Sequence, residues 1–294
     1  MSGQAPGATA ATSGNERTDS DGYQLLDVGG VQIAHTVIGE GDALVLVHSG
    51  TGSGEFDWRY QVSVLAEKYR VLLLDLRGHA RSSDGPITLE TLTADLDAVC
   101  RHVNAYPAHF LAASHGSFPV LRLALDRPSD VRSVAIVGSV WQDEHLPAED
   151  DAGLLSRWPS ALRRLHDRHG PHHWADLLQR LIADRRLNVR FTEADFQALS
   201  CPVLVAQGDR DEFLEVAMSA RAAAWAGGEL LVLPGAGHAA HIEAPALFNL
   251  AYLGFLKRVV DAENRPSPAD QAWRSSTGLS SSRTSTPPRG DDSQ

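Results

Sequence analysis

Apolar and polar residues begin to alternate in short runs at Tyr23. Tyr23-Gln-Leu-Leu-Asp-Val28 and Val31-Gln-Ile-Ala-His-Thr-Val37 flank Gly29-Gly30, and two strand-length runs around a Gly-Gly pair predict a β-hairpin. The pattern then changes. Ala43-Leu-Val-Leu-Val47 and Val71-Leu-Leu-Leu74 are continuously apolar, as strands covered on both faces are. Leu89, Leu92, Leu96, Val99 and Val103 recur at the spacing of one helix face, ahead of a further apolar run at His109–Ala113. Val120, Leu121, Leu123 and Leu125 belong to a helix after it, and Val131–Val137, Val203–Ala206 and Leu230–Leu233 complete the strands. Strand alternating with helix after a leading hairpin predicts an α/β fold: a mostly parallel eight-stranded sheet with helices on both faces.

One stretch breaks the alternation. Between Val140 and Ser200 no strand is evident, whereas Leu154, Leu155, Trp158, Leu162 and Leu165, then Trp174, Leu177, Leu178 and Leu181, suggest two amphipathic helices parted by Gly170-Pro171. An all-helical insertion after the sixth predicted strand has the form of a lid, or of a helical pair packed on the core. The expected organisation is therefore a core over 22–140 and 199–260, a helical lid over 141–198, and disordered tails over 1–21 and 261–294. Both tails are rich in Ser, Thr, Gly, Pro and charge, with too little apolar surface to offset the entropy of ordering them.

Composition narrows the function classes. With 43% hydrophobic and 21% charged residues the chain has the make-up of a globular protein, and a net charge of −11 argues against nucleic acid or anionic membrane as a partner. Cys100 and Cys201 supply neither a disulfide framework nor a zinc spacing. The first twenty-odd residues lack a basic start and an apolar stretch, so the expectation is a cytoplasmic protein. His166, His169, His172 and His173 crowd the lid segment without acidic or cysteine ligands, so a solvated face is expected there and no metal.

The reactive residues stand where strands end. Ligands of an open α/β sheet gather at the carboxyl ends of its strands. Past the third predicted strand lies the small-residue loop His48-Ser49-Gly50-Thr51-Gly52-Ser53-Gly54, past the fifth Ser114, past the seventh Gly208-Asp209-Arg210-Asp211, and past the eighth Pro234-Gly235-Ala236-Gly237-His238. Ser114 closes Phe110-Leu111-Ala112-Ala113 and is followed by His115-Gly116. Such a serine between small residues has the form of a strand–turn–helix elbow that holds its hydroxyl exposed. A serine hydroxyl is a weak nucleophile at neutral pH, so it needs a base, and the base needs an orienting carboxylate. His238 can supply the first and Asp211 the second, while the loop after the third strand and the His115 N–H can supply an oxyanion hole.

These segments resemble the α/β-hydrolase family over about Tyr23 to Val260. His48-Ser49-Gly50-Thr51 resembles its His-Gly-x-Pro oxyanion loop, and Asp75-Leu-Arg-Gly-His-Ala-Arg-Ser82 its Asp-x-Arg-Gly-x-Gly-x-Ser segment. Gly237-His238 with Glu243-Ala-Pro245 resembles its closing histidine loop. The resemblance implies Ser114, Asp211 and His238 as catalytic residues and the Gly50 and His115 N–H groups as the oxyanion hole. Asp209, in the same turn as Asp211, and Asp143, after the sixth strand, are the other candidates for the acid. Ser49, Thr51, Ala80, Ala112 and Ser117 stand where the family pattern has glycine or proline. His48 is expected to support the oxyanion loop, His241 to be a surface or core residue, and Ser49, Trp58 and Trp158 to line the pocket, with Trp58 equally readable as core.

The resemblance implies a serine hydrolase acting through an acyl-enzyme on a small, partly apolar ester, thioester or lactone, without a cofactor. The same triad also serves carbon–carbon bond hydrolysis, aminopeptidase activity, perhydrolysis and non-hydrolytic rearrangement. Dehalogenases and most epoxide hydrolases of this fold carry aspartate where Ser114 stands. A ligand-binding protein that keeps the fold without turnover is the reading from another class. A carrier-bound substrate would make Arg157, Arg163, Arg164 and Arg168 a docking surface.

Overall fold

The computed structural model describes residues 17–20, 22–139 and 160–265, with backbone only at 17 and 185–188. The readings made for Asp143, Leu154, Leu155, Arg157 and Trp158 lie outside the described residues. The chain divides into two units, 1–255 and 256–294, and everything that follows concerns the first.

The strands are β1 (Arg17–Thr18), β2 (Gln24–Val28), β3 (Val31–Ile38), β4 (Asp42–Val47), β5 (Tyr69–Leu74), β6 (Ala108–Ala113), β7 (Val131–Val137), β8 (Val203–Gly208) and β9 (Glu229–Leu233). They form one sheet in the order β1-β2-β3-β5-β4-β6-β7-β8-β9. The eight expected strands are present, and the ninth is new. Arg17–Thr18, expected in a disordered tail, pairs antiparallel with Leu25 and Gln24. Its turn is closed by the Tyr23 N–H on Asp19 Oδ1 at 2.8 Å and the Asp19 N–H on the Tyr23 carbonyl at 2.8 Å. Two residues carry no hydrophobic period, so a strand held by backbone pairing alone leaves no mark in the sequence.

β2 and β3 meet antiparallel across Gly29-Gly30, and β3 pairs antiparallel with β5. From β5 to β9 every pairing is parallel. The registers Val47 to Ala112, Ala113 to Val137, Val137 to Ala206 and Gly208 to Leu233 bring the carboxyl ends of β4, β6, β7, β8 and β9 to one edge. Gly50, Ser114, Asp211 and His238 each follow the end of a strand at that edge.

Between the strands run α1 (Gly54–Trp58), α2 (Val62–Leu65), α3 (Leu89–His102) and α4 (Ser117–Asp126). Further on come α5 (Ser160–Arg164), α6 (His173–Asn188), α7 (Glu193–Ala198), α8 (Val216–Trp225), α9 (Ala240–Glu243) and α10 (Pro245–Glu263). α3 starts at a capping box in which Thr88 and Thr91 satisfy each other's backbone N–H groups. Its Leu89, Leu92, Leu96 and Val99 are buried, each removal from water favouring the fold by about 1.5–3 kcal/mol. Asp95 on the same helix accepts both arms of the Arg77 guanidinium at 2.6 Å in a buried pair. That pair ties the loop after β5 to α3.

The insertion after β7 is helical where it is described. Leu177, Leu178 and Leu181 of α6 are buried as their spacing predicted, and α6 contacts α3. No helix of the described residues is long and apolar enough to cross a membrane.

Candidate active site

β6 is buried along its whole length, and the chain then turns at once into a 3₁₀ segment, Ser114–Gly116, that leads into α4. Ser114 carries φ +47°, a left-handed conformation that costs a side-chain-bearing residue about 1–2 kcal/mol. The elbow packs directly on the end of β4: a Cβ on Gly116 would lie 2.1 Å from the His48 carbonyl oxygen. Ala112 is fully buried, so a methyl group is tolerated where the family pattern has glycine.

His238, on the loop after β9, reaches Ser114 Oγ with Nε2 at 3.0 Å and Asp211 Oδ2 with Nδ1 at 2.9 Å. A carboxylate can only accept, so Nδ1 carries the ring proton and Nε2 is left to accept from the serine hydroxyl. The Asp211 side chain is wholly buried, and its other oxygen accepts the Phe213 N–H at 2.9 Å. The Phe213 ring meets the imidazole edge-on at 4.9 Å. Asp209 has a different partner: its Oδ1 accepts the Gly235 N–H at 2.6 Å. It braces the loop that carries His238, and Asp211 faces the imidazole itself. Glu243 braces the same loop, accepting the Gly237 N–H at 2.8 Å.

The loop after β4 lies across the elbow. A Cβ on Gly50 would stand 3.0 Å from His115 Cβ and 3.3 Å from Leu181 Cδ1 of α6, so this residue sits between the elbow and α6. The Gly50 N–H has no acceptor among the described residues. Its peptide plane is fixed from the other side, where the Ser49 carbonyl meets His48 Nδ1 at 2.6 Å. His48 Nε2 accepts the Leu76 N–H at 2.8 Å, which forces the ring proton onto Nδ1 and makes it the donor to Ser49. Complete burial pushes the His48 imidazolium down to about 3, so the ring stays neutral. His48 thus holds the Ser49 carbonyl from a fully buried position.

The two readings of Trp58 resolve toward core. It is fully buried, with its ring 4.6 Å from that of His241, itself buried. Ser49 is half-buried beside Thr51, with the two hydroxyls 3.4 Å apart.

The lid histidines are not a solvated face. His166 is 2% exposed; its Nδ1 accepts the Ala80 N–H at 3.3 Å and its Nε2 meets the Thr51 carbonyl at 3.2 Å. His169 Nε2 reaches the Ala80 carbonyl at 3.1 Å and His173 Nε2 the Gly78 carbonyl at 2.7 Å, their rings stacked at 4.4 Å. His172 alone of the four is exposed. These contacts join the helical insertion to the loop after β4 and to the segment after β5, which helical periodicity had no means of indicating. Of the arginines read as a docking surface, Arg163 lies over the Trp174 ring at 4.4 Å and Arg168 stands 4.0 Å from Asp19.

Gly138, at the end of β7, was not singled out by its sequence. It has φ +58°, and a Cβ there would fall 2.6 Å from the His238 carbonyl oxygen and 3.3 Å from two atoms of the imidazole. A glycine closing a strand at the carboxyl edge was the available signal.

Fold and site together define an α/β sheet that brings a serine, a histidine and an aspartate into hydrogen-bonding contact at its carboxyl edge. A model described as the alpha/beta hydrolase family matches residues 44–251, and the chain belongs to that family. Among solved structures it is similar to a hydrolase from Pseudomonas aeruginosa PA01, with TM-score 0.68 and 26% identity, covering 81% of this chain and 99% of that one. Among curated proteins it is similar to the dihydrolipoyllysine-residue acetyltransferase component of the acetoin cleaving system of Cupriavidus necator, 31% identical over 45% of this chain and 36% of that protein. It is also similar to bifunctional epoxide hydrolase 2 of Sus scrofa, 34% identical over 44% of this chain and 24% of that protein. The matches thus span only about a third and a quarter of these two relatives' lengths.

Proposed function

We propose that the protein is a serine hydrolase that cleaves a small, partly apolar ester, thioester or lactone through an acyl-enzyme. The observation that carries this reading is the unbroken relay Asp211–His238–Ser114 at 2.9 and 3.0 Å, with its serine held in a left-handed elbow. In this reading His238 Nε2 takes the hydroxyl proton as Ser114 Oγ attacks the carbonyl carbon, and Asp211 stabilises the imidazolium that forms. The Gly50 and His115 N–H groups hold the oxyanion. The imidazolium then gives its proton to the leaving oxygen or sulfur, and an incoming water, deprotonated by the same ring, releases the acid. Every proton passes through His238, so no cofactor is required.

Serine at 114 supports an acyl-enzyme rather than the alkyl-enzyme route implied by aspartate at that place. The apolar preference rests on Leu181, which approaches the oxyanion loop from the lid. The test is fluorophosphonate labelling with mass mapping, then turnover of a p-nitrophenyl ester series graded by acyl length. Label on Ser114, and loss of turnover by at least about a thousand-fold in a folded Ser114→Ala variant, is the expected result. Undiminished turnover in that variant would remove Ser114 from the chemistry.

A further inference from the structure

We infer that Asp57 is a positioning residue for the oxyanion hole: its buried carboxylate anchors the Ser49 N–H and thereby sets the position of the Gly50 N–H. This rests on the serine-hydrolase reading above.

Asp57 lies in α1, immediately beyond the oxyanion loop, and is 3% exposed. Its Oδ2 accepts the Ser49 N–H at 2.7 Å, the short distance of a charge-assisted bond. Its other oxygen lies against Gly52, where a Cβ would stand 2.0 Å away, so the loop folds directly over the carboxyl group. The helix itself is fixed: Ser53 caps it, accepting the Phe56 N–H at 3.2 Å, and the Asp57 N–H bonds the Ser53 carbonyl at 3.0 Å. The loop is therefore held at two consecutive peptides. Asp57 takes the Ser49 N–H of the first, and His48 takes the Ser49 carbonyl of the second, the peptide plane that also carries the Gly50 N–H. Ser49 stands where the family pattern has glycine, and the backbone N–H of this half-buried residue is satisfied by the Asp57 carboxylate.

A purely structural aspartate at this place would be an uneconomical choice. Burial raises its carboxyl to about 6, only partly offset by the Ser49 hydrogen bonds and by Arg59, while Asp75 adds to the rise. Those are the charged groups that face it from α1 and from the segment after β5. An ionised group retained against that desolvation holds its partner more tightly than a neutral acceptor would. A preorganised donor is worth most when it does not have to be reoriented as charge develops.

The experiment compares wild type, Asp57→Asn and Asp57→Ala on the same p-nitrophenyl ester. Asparagine keeps a neutral acceptor of the same shape, and alanine removes it. At pH 8 we expect kcat to fall about three- to tenfold in Asp57→Asn and about tenfold further in Asp57→Ala, with KM within threefold throughout. Affinity for a trifluoromethyl ketone, which forms a tetrahedral adduct, should fall in step with kcat. Wild-type kcat should show an additional loss as pH drops through about 6, absent from Asp57→Asn. If Asp57→Ala does not fold, Asp57→Asn with the ketone and the pH profile decides alone. Wild-type kcat and ketone affinity in Asp57→Asn would overturn the inference, as would a KM rise with kcat unchanged. If turnover survives Ser114→Ala, it is the hydrolase reading that has failed. If that variant is inactive and the Asp57 variants are not impaired, only the positioning role is lost.

Discussion

Replacing Gly138 with alanine isolates how closely the histidine loop must be held. The new methyl would fall 2.6 Å from the His238 carbonyl oxygen, inside the 3.0 Å that real Cβ contacts respect, and 3.3 Å from the ring atoms Nδ1 and Cε1. The loop after β9 must then move by several tenths of an ångström, carrying the imidazole away from both Ser114 and Asp211. A misplacement of about 1 Å costs on the order of a hundred-fold in rate, so a roughly ten- to thirty-fold fall in kcat is expected, with KM little changed. Alanine at φ +58° also costs about 1–2 kcal/mol, or roughly 2–8 °C in Tm for a protein of this size. Gly235→Ala is the matched control. It sits in the same loop at φ +75° with nothing within 4 Å of its Cβ, so it carries the conformational cost without the collision. Steady-state kinetics on an activated ester and thermal unfolding of both variants separate the two effects. Equal kcat values in Gly138→Ala and Gly235→Ala would refute the account, because backbone strain alone would then explain the loss.

Acid should destabilise the fold through its buried histidines. His48, His79, His166 and His241 are held neutral by burial, their imidazolium forms pushed down to about 3. The unfolded chain therefore binds more protons, and their contribution is present above about pH 6.5 and is lost as pH falls from there toward 3. Asp57 and Asp75, raised by burial, act with the opposite sign and offset part of it. Urea unfolding near pH 5 should show His166→Gln reducing the pH slope by close to one proton, about 1.4 kcal/mol per pH unit; an unaltered slope would place His166 outside that set. Asp95→Ala, which strands the buried Arg77 guanidinium, should lower stability by about 3–5 kcal/mol, with the Arg77→Met/Asp95→Leu double variant recovering most of it. Equal losses in the single and double variants, measured by urea unfolding, would contradict that. His173→Ala should raise amide exchange at Gly78–Ala80 before exchange rises in β6, because His173 ties the lid to the Gly78 carbonyl.

The centre of the sheet was legible because its strands are apolar runs buried on both faces; β4 and β6 show this most plainly. The meeting of Ser114, Asp211 and His238 could be anticipated because each follows a strand, and parallel strands bring their carboxyl ends to one edge. β1 was not legible, since two residues have no period. The lid histidines misled for a related reason: a polar ring at a helical position has the same sequence signature whether it meets water or a backbone carbonyl. Residue order alone therefore determined which side chains could take part in the chemistry and roughly where each stands. Tertiary structure decided which aspartate faces His238, which glycine gives it room, and what holds the Ser49–Gly50 peptide. These are matters of tenths of an ångström between segments far apart in the chain, set by close packing and hydrogen-bond direction, and no local pattern encodes them.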